Sequence, residues 1–555
     1  MLKTRKFLAV VLALVMALSV AVTAQAAKTI PTDYSGKTII LHTNDVHGAL
    51  EGYAYIPTLR NWFYDHGAAD VVVVDAGDFS QGTPYVSTNK GHAAIEMMNA
   101  AGYDLVTFGN HEFDFGYDQL CTNLEDAEFT AISGNILLSD GDPILYPWVM
   151  CEFYPDEEKP GEDVYLKVAF IGLESPETVT KVNPGLIKDF TFVGEDDLYA
   201  CTQHYVDEVR EEGADLVIGL WHLGIDVETA ISGNRSIDVL EHVEGIDFVI
   251  DAHSHTVMTE SEDGLPIQST GTKFAYIGVI VIDNETKTIE DNFLVSTAGI
   301  EKDEEVAAKA DEIIGAVDAL YGAAFATSEV ELNGAKAPGN RTEETNNGDL
   351  ITDAMVWSVV KEGGVAQPES QVIGITNGGG IRAAINVGDV SMNDVKTVMP
   401  FGNTVAVIYV TGAELLEVLE ASTYCTPEAV GGFPQTSGIQ WTLDTTKAYD
   451  QGEIYMLDGK EGSYYAPASI QRVSIQSING EPFDENAIYA VVTNNFCAAG
   501  GDTYNAFARA YNEGSGFDTG IPMDEAVMAF ITDVLNGVIP AETYGAPQGR
   551  MTIIQ

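Results

Sequence analysis

Thr38-Ile-Ile-Leu-His-Thr-Asn-Asp-Val-His47 is a short apolar run that ends in polar side chains. The pattern returns in Val71-Val-Val-Val-Asp-Ala-Gly-Asp78, in Leu105-Val-Thr-Phe-Gly-Asn-His-Glu-Phe-Asp114 and in Phe248-Val-Ile-Asp-Ala-His-Ser-His255. Each joins the signature of a buried strand to Asp, Asn or His directly behind it. Trp221-His222 follows a fifth run, Leu216-Val-Ile-Gly-Leu220, and Val168-Ala-Phe-Ile171 is a further strand. Between several of these runs, residues 56–66, 93–101 and 198–212 carry helical periodicity. This βαβ rhythm specifies a layered α/β domain. In an open α/β sheet the carboxyl ends of the strands converge on one edge, where ligands bind. Five separate strands therefore deliver Asp, Asn or His to one place.

The convergent groups are Asp45, His47, Asp78, Asn110, His222, His253 and His255. They offer oxygen and imidazole with no thiolate, a set that suits Zn, Mn or a similar divalent ion. Seven donors suit two ions that share one carboxylate and leave positions for water and substrate. His42, His66, His92, His204 and His242 stand outside the clusters and read as structural or surface residues.

Working outward, residues 274–289 read as a hairpin with Asp283-Asn284 near its turn. Residues 301–325, rich in Ala, Glu, Asp and Ile and free of Pro, read as one long exposed connecting helix. A new start at Glu329-Val-Glu-Leu332 opens a second α/β region that runs to the C-terminus. Two domains also follow from the 555-residue length, since single cores stop growing near roughly 250–300 residues.

Composition narrows the partners. The chain has 84 Asp and Glu against 27 Lys and Arg, a net charge of −57. That excess excludes wrapping of a nucleic-acid polymer and docking on anionic lipid, both of which need basic patches. Lys3, Arg5 and Lys6, the apolar run from Phe7 to Val22 and the small-residue site Ala24-Gln-Ala26 read as a secretory signal peptide over residues 1–27. The mature chain is then extracellular or periplasmic, with no transmembrane anchor once that segment is cleaved. The acidic run Asp156-Glu-Glu158 reads as solvated surface. Cys121, Cys151, Cys201, Cys425 and Cys497 show no CxxC spacing, which argues against a thiolate zinc site. Disulfide pattern and oligomeric state stay open.

Leu41-His-Thr-Asn-Asp-Val-His-Gly48, Asp75-Ala-Gly-Asp78, Gly109-Asn-His-Glu-Phe-Asp114, His222 and His253-Ser-His255 together resemble the calcineurin-like metallophosphoesterase core. Asn377-Gly-Gly-Gly-Ile-Arg382, Pro400-Phe-Gly-Asn403 and Asn495-Phe-Cys-Ala-Ala-Gly-Gly-Asp502 extend the resemblance to the secreted 5′-nucleotidases of that family, over nearly the whole mature chain. The resemblance implies a four-layer α/β/β/α sandwich over residues 28–300, a linker helix over 301–325 and an α/β nucleotide-binding domain over 326–555. It implies that Asp45, His47 and His255 hold one ion, that Asn110, His222 and His253 hold the other, and that Asp78 bridges them. His111 and Asp114 resemble the family's catalytic pair. Arg341 and Arg382 match its substrate-binding arginines, and Gly380 belongs to a glycine turn that lets a ligand approach the backbone. Phe401 and Phe496 match its base-stacking pair, Asp502 the ribose contact and Asn377 a contact at the base edge.

The implied activity is release of phosphate from nucleoside 5′-monophosphates. The same site would serve 2′,3′-cyclic nucleotides, nucleoside di- or triphosphates, or UDP-sugars. A non-catalytic nucleotide-binding protein is the other class, and the intact donor set argues against it. The chain departs from the family pattern at three places. Ala252 stands where Gly is frequent, Trp221 stands where a small residue is usual and is read as narrowing the site, and Asn347-Gly-Asp349 replaces Leu-Gly-Asn.

Overall fold

The computed structural model describes residues 31–555 apart from 140, 155–163, 183, 188, 227–232, 363–364, 458–459 and 513. The leader read over residues 1–27 and the acidic run at 156–158 lie outside them. Strands β1 (Lys37–Thr43), β2 (Asp70–Asp75), β3 (Leu105–Thr107) and β4 (Thr130–Ile132) are parallel neighbours. β5 (Trp148–Phe153), β6 (Leu166–Glu174), β7 (Leu216–His222), β8 (Phe248–Ile250), β9 (Val257–Met258) and β10 (Ile267–Thr270) make a second sheet, in the order β9-β10-β8-β7-β6-β5. The hairpin β11 (Tyr276–Asp283) and β12 (Thr288–Ser296) pairs onto β1, so the first sheet reads β12-β11-β1-β2-β3-β4. Its second strand runs beyond the 274–289 span read from sequence, because alternate polar residues such as Glu290 and Asn292 tolerate an edge position.

Side-chain alternation along these strands builds the layers. Ile40, Val72 and Val74 from the first sheet meet Val168, Phe170, Leu216, Ile218 and Ile250 from the second in one core between the sheets. Ile39, Leu41 and Val73 face the other way, onto α1 (Tyr55–Asp65) and α2 (His92–Ala101). Ala169, Ile171, Val217 and Val249 face α3 (Glu195–Glu211) and α4 (Ser236–His242). The result is helix, sheet, sheet, helix: the four-layer α/β/β/α sandwich.

The helix read over 301–325 is α5 (Glu304–Tyr321). It begins late because the Asp303 side chain caps it, accepting from the Glu305 and Val306 amides at 3.1 Å. It ends early because residues Ala324–Ser328, strand β13, pair with other strands of the C-terminal half. Nor is it merely an exposed connector, since Val306 and Ala310 are buried in the same core as Leu59 and Phe63 of α1.

Beyond it, β14 (Val372–Asn377), β15 (Thr404–Thr411), β16 (Pro434–Ser437), β17 (Ile488–Asn494) and β18 (Gly516–Pro522) form a five-stranded mixed sheet, ordered β16-β14-β17-β15-β18. One face packs on α6 (Asn346–Glu362) and α8 (Met523–Asp533), through Leu350, Ile351, Val372, Val492 and Val527. The other packs on α7 (Gly412–Ala421), through Ile373, Ile408, Leu415 and Val491. Among the described residues, no helix is long and apolar enough to cross a membrane. None of the five cysteines forms a disulfide.

Candidate active site

The parallel strands place their polar clusters at one edge, between the two sheets. Asp45, His47, Asp78, His253 and His255 all adopt left-handed backbone, with φ of 50°, 44°, 64°, 70° and 56°. Such angles cost a non-glycine residue about 1–3 kcal/mol each and persist only where the surroundings impose them. Here the constraint is visible. Asn44 Oδ1 accepts from the Thr270 amide at 2.9 Å and its hydroxyl at 2.7 Å, while Asn44 Nδ2 donates to Gly271 O at 2.9 Å and Asp45 Oδ2 at 2.7 Å. The loop after β1 is thus tied to the end of β10 in the second sheet, and the Asp45 carboxylate is aimed by it.

Ligand-type atoms gather in three overlapping groups: Asp45 with His47 and His255, His47 with Asp78 and His111, and Asp78 with His222 and His253. His47 Nε2 and His255 Nε2 are 2.9 Å apart. Burial pushes both imidazoles well below their ordinary pKa, helped for His255 by His47 and for both by Arg382. At that distance one neutral ring can donate its Nε2–H to the other, and with both lone pairs turned inward the pair, together with Asp45, can instead share a cation. His222 binds Ala76 O through Nδ1 at 2.7 Å, while its buried Nε2 has no hydrogen-bond partner among the described residues and lies 3.3 Å from Asp78 Oδ2. Asn110 Oδ1 is likewise buried without a partner among the described residues. Orphaned acceptors, facing imidazoles and two carboxylates fit divalent metal. Burial raises the Asp45 carboxyl. It would raise Asp78 too, but His222 and His111 more than offset it and hold Asp78 well below the usual range.

His111 stands beside this cluster. Its Nδ1 meets Asp114 Oδ2 at 2.7 Å, its amide donates to Asp78 Oδ1 at 3.0 Å, and its Nε2 lies 3.9 Å from Asp78 Oδ2. Burial pulls the imidazole down, yet Asp78 and Asp114 overcome it and leave the His111 pKa above its ordinary value.

The C-terminal half supplies the opposite wall. Asp78, Asn110, His111, Asp114, His253 and His255 line one cleft together with Arg341, Asn377, Gly380, Arg382, Phe401, Phe496 and Asp502. The Phe401 ring lies 5.4 Å from the His111 ring and 5.6 Å from the Arg382 guanidinium carbon. Burial and neighbouring Arg341 pull the Arg382 pKa down to about 10, so it stays cationic at neutral pH. Residues 38–257 match the family model of calcineurin-like phosphoesterases, and residues 323–509 match that of the 5′-nucleotidase C-terminal domain. The chain belongs to the 5′-nucleotidase family of metallophosphoesterases.

It is accordingly a metal-dependent phosphoester hydrolase. It is 31% identical over 523 residues to the trifunctional nucleotide phosphoesterase protein YfkN of Bacillus subtilis, an alignment covering 86% of this chain and 33% of that protein. The chain thus spans a third of that relative's length. It is 27% identical to a 5′-nucleotidase of Diplobatis ommata, over 93% of this chain and 90% of that one. The crystal structure of a 5′-nucleotidase precursor from Thermus thermophilus superposes with a TM-score of 0.74 at 25% identity, covering 94% of this chain and 99% of that one.

In this phosphoesterase, the structure brings all sixteen sequence-singled residues to the Asp and His cluster or the cleft, but it alters the reading of three positions. Trp221 does not narrow the site. It is fully buried in the core that faces α3 and α4, lying over Gly219 two residues back on the same strand face, while His222 points the other way. The Asn377 amide is engaged inside the protein, donating to Asp502 Oδ2 at 2.9 Å and accepting from Asn494 Nδ2 at 3.1 Å, so it orients Asp502. Gly378 serves chain packing before any ligand, because a Cβ there would lie 1.8 Å from Asn340 O. The five remaining histidines stay out of the cluster, and His42 is buried against Gln268 at 2.8 Å.

Three acidic or basic residues escaped the sequence reading. The Glu112 carboxylate accepts from the amides of Asp78, Phe79, Ser80 and Gly109 at 2.7–3.0 Å, stapling the loop after β2 to the turn after β3. It sits inside a quoted motif, and only its four amide partners reveal its work. Glu177 Oε2 lies 3.4 Å from His253 Nε2. Lys181 enters the cleft from the loop after β6, which carries no motif at all.

Proposed function

We propose that this enzyme hydrolyses nucleoside 5′-monophosphates at a site that holds two divalent ions. The observation that carries the proposal is the shared cleft, with the Asp and His cluster at one end and Arg341, Arg382, Phe401, Phe496 and Asp502 at the other. Asp45, His47 and His255 would hold one ion, Asn110, His222 and His253 the other, with Asp78 between them. Bound there, divalent ions polarise the phosphoryl group and make water a competent nucleophile at neutral pH. Arg341 and Arg382 bind phosphate oxygens, for which a planar two-donor fork is suited. Phe401 and Phe496 hold the base by its faces, which accepts any base. Asp502 accepts from ribose hydroxyls. Water attacks phosphorus, the bond from phosphorus to O5′ breaks, and His111, oriented by Asp114, gives its proton to O5′.

His111→Ala tests this assignment. Turnover of AMP should fall by about 10²–10⁴-fold while AMP affinity, read by calorimetry, stays close to wild type. Unchanged turnover would remove His111 from the chemistry. The name of the trifunctional relative favours a second reading, in which the same cleft also opens other nucleotide phosphoesters. The domain division at residues 28–300 and 326–555, with α5 docked on the first, makes the substrate span both halves. The leader over residues 1–27 assigns the mature enzyme to the outside of the cytoplasm. Intact-mass measurement of the exported protein should show a chain starting near residue 27, and a chain retaining Met1 would contradict it.

A further inference from the structure

We infer that Lys181 is a specificity-determining residue for the ribose hydroxyls, supplied by the metal-bearing half of the chain. The inference deepens the nucleotidase reading and rests on Asp502 as the ribose contact. Lys181 ends the short helical turn Thr178–Lys181 behind β6, and it lines the cleft that the two halves share. Its Nζ lies 3.5 Å from Asp502 Oδ1, with the two side chains 13% and 3% exposed. It also lies 5.5 Å from the centre of the Tyr464 ring, so an aromatic face from the second half flanks the ammonium. The other Asp502 oxygen is taken by Asn377 Nδ2 at 2.9 Å. Asp502 itself has left-handed backbone, φ 51°. A Cβ on Gly431 would stand 3.1 Å from Asp502 Oδ1 and 3.5 Å from Lys181 Nζ, so bare backbone keeps this corner open.

Position is what points to a ligand: Lys181 and Asp502 both line the cleft, from opposite halves, with the carboxylate read as the ribose contact in direct reach of the ammonium. A ribose hydroxyl is a donor and an acceptor at once. Set beside the pair from the cleft, it donates to Asp502 Oδ1 and accepts from the Lys181 ammonium. Neither charged group alone satisfies both needs of the hydroxyl. The two come from opposite halves, so the hydroxyl is read only when both halves close on the nucleotide. A sugar without hydroxyls offers nothing to either group.

The test compares kcat/KM for AMP and for 2′,3′-dideoxy-AMP in wild type, Lys181→Met and Lys181→Arg, each with melting temperature and metal content measured. A hydrogen bond to a charged group corresponds to roughly a tenfold or larger effect. Lys181→Met should therefore lower kcat/KM for AMP about tenfold and lower that for the dideoxy substrate far less, so the preference for hydroxyls collapses. Lys181→Arg should restore part of it. Equal losses on both substrates, or no loss on either, would overturn the inference. Failure of the underlying reading looks different: wild-type enzyme itself would then release no phosphate from AMP.

Discussion

Gly109 shows how tightly the cluster is built. A Cβ on it would lie 2.3 Å from Asp78 Oδ1 and 2.6 Å from His222 Cε1. Gly109→Ala should therefore displace both groups, lower bound metal per chain, and cut turnover by about 100-fold, the scale set by ångström-sized misplacement of a reacting group. Normal metal content with normal turnover would contradict the packing described here. His111 adds a pH dependence. Its folded-state pKa lies above the ordinary value of 6.5 despite burial, because Asp78 and Asp114 favour the imidazolium. The acid form therefore persists to higher pH than for an ordinary imidazole and is lost as pH rises past that raised value. Asp114→Asn removes one of the two charges, so the basic limb of the kcat profile should move to lower pH; an unmoved limb would show that another group sets it. The seven donors and the His111-Asp114 pair were legible because each follows an apolar run directly. Glu112 was legible only as part of a motif, since its four amide partners are made by the turn and not by sequence spacing.

At the scale of elements, strand identity was plain and strand facing was not. In Leu216-Val-Ile-Gly-Leu-Trp-His222 every residue is buried, so hydrophobicity does not tell which face looks between the sheets and which toward the helices. Trp221 was misread for that reason, and only the partition of its neighbours into two cores settles it. The ends of α5 were missed because its composition continues past the Asp303 cap and into β13. α6 holds the departure with the clearest thermodynamic consequence. Asp349 stands in its first turn, fully buried, 3.4 Å from Arg550 and accepting from the Gln548 amide at 2.9 Å. Burial, with Glu344 adding to it against Arg550, pushes its pKa from the ordinary 3.8 up to about 7. A folded-state pKa above the unfolded one means that the folded chain holds the extra proton between those values. Its contribution is present at low pH and is lost as pH rises through about 7. Asp349→Asn keeps an acceptor for Gln548 and removes the titration. Its melting temperature should vary less than that of wild type between roughly pH 5 and pH 8 and should exceed it at the upper end. Parallel curves for the two proteins would contradict this.

At the scale of the whole molecule, two α/β halves of different topology meet over one cleft in a chain of net charge −57. The halves touch through Phe401 and His111, through Lys181 and Asp502, through Lys336 and Asp226 at 3.5 Å, and through Asn393 and Asp318 at 2.6 Å. The order of the motifs made the two-part architecture readable, whereas these cross-contacts join residues far apart in sequence and follow no period. Lys181, Lys336, Arg341 and Arg382 line the cleft together with Asp78, Asp114, Asp226 and Asp502, so its formal side-chain charges balance inside an acidic molecule. An anionic nucleotide must still cross the long-range negative field, which salt screens over about 10 Å at 0.1 M. Inert salt up to that level should raise kcat/KM for AMP by a modest factor, and a steep fall would show that the cleft cations dominate approach. The proposed activity requires a two-ion site joined to a nucleotide-reading second half. Its most direct test is phosphate release by metal-stripped protein reloaded with Mn or Zn, across AMP, GMP, UMP, ATP, UDP-glucose, a 2′,3′-cyclic nucleotide and a simple non-nucleotide phosphoester. Fast release from the monophosphates is expected only after reloading, with a stoichiometry of two ions per chain and the simple ester far behind. Metal-independent release, or equal rates on nucleotides and the simple ester, would contradict it.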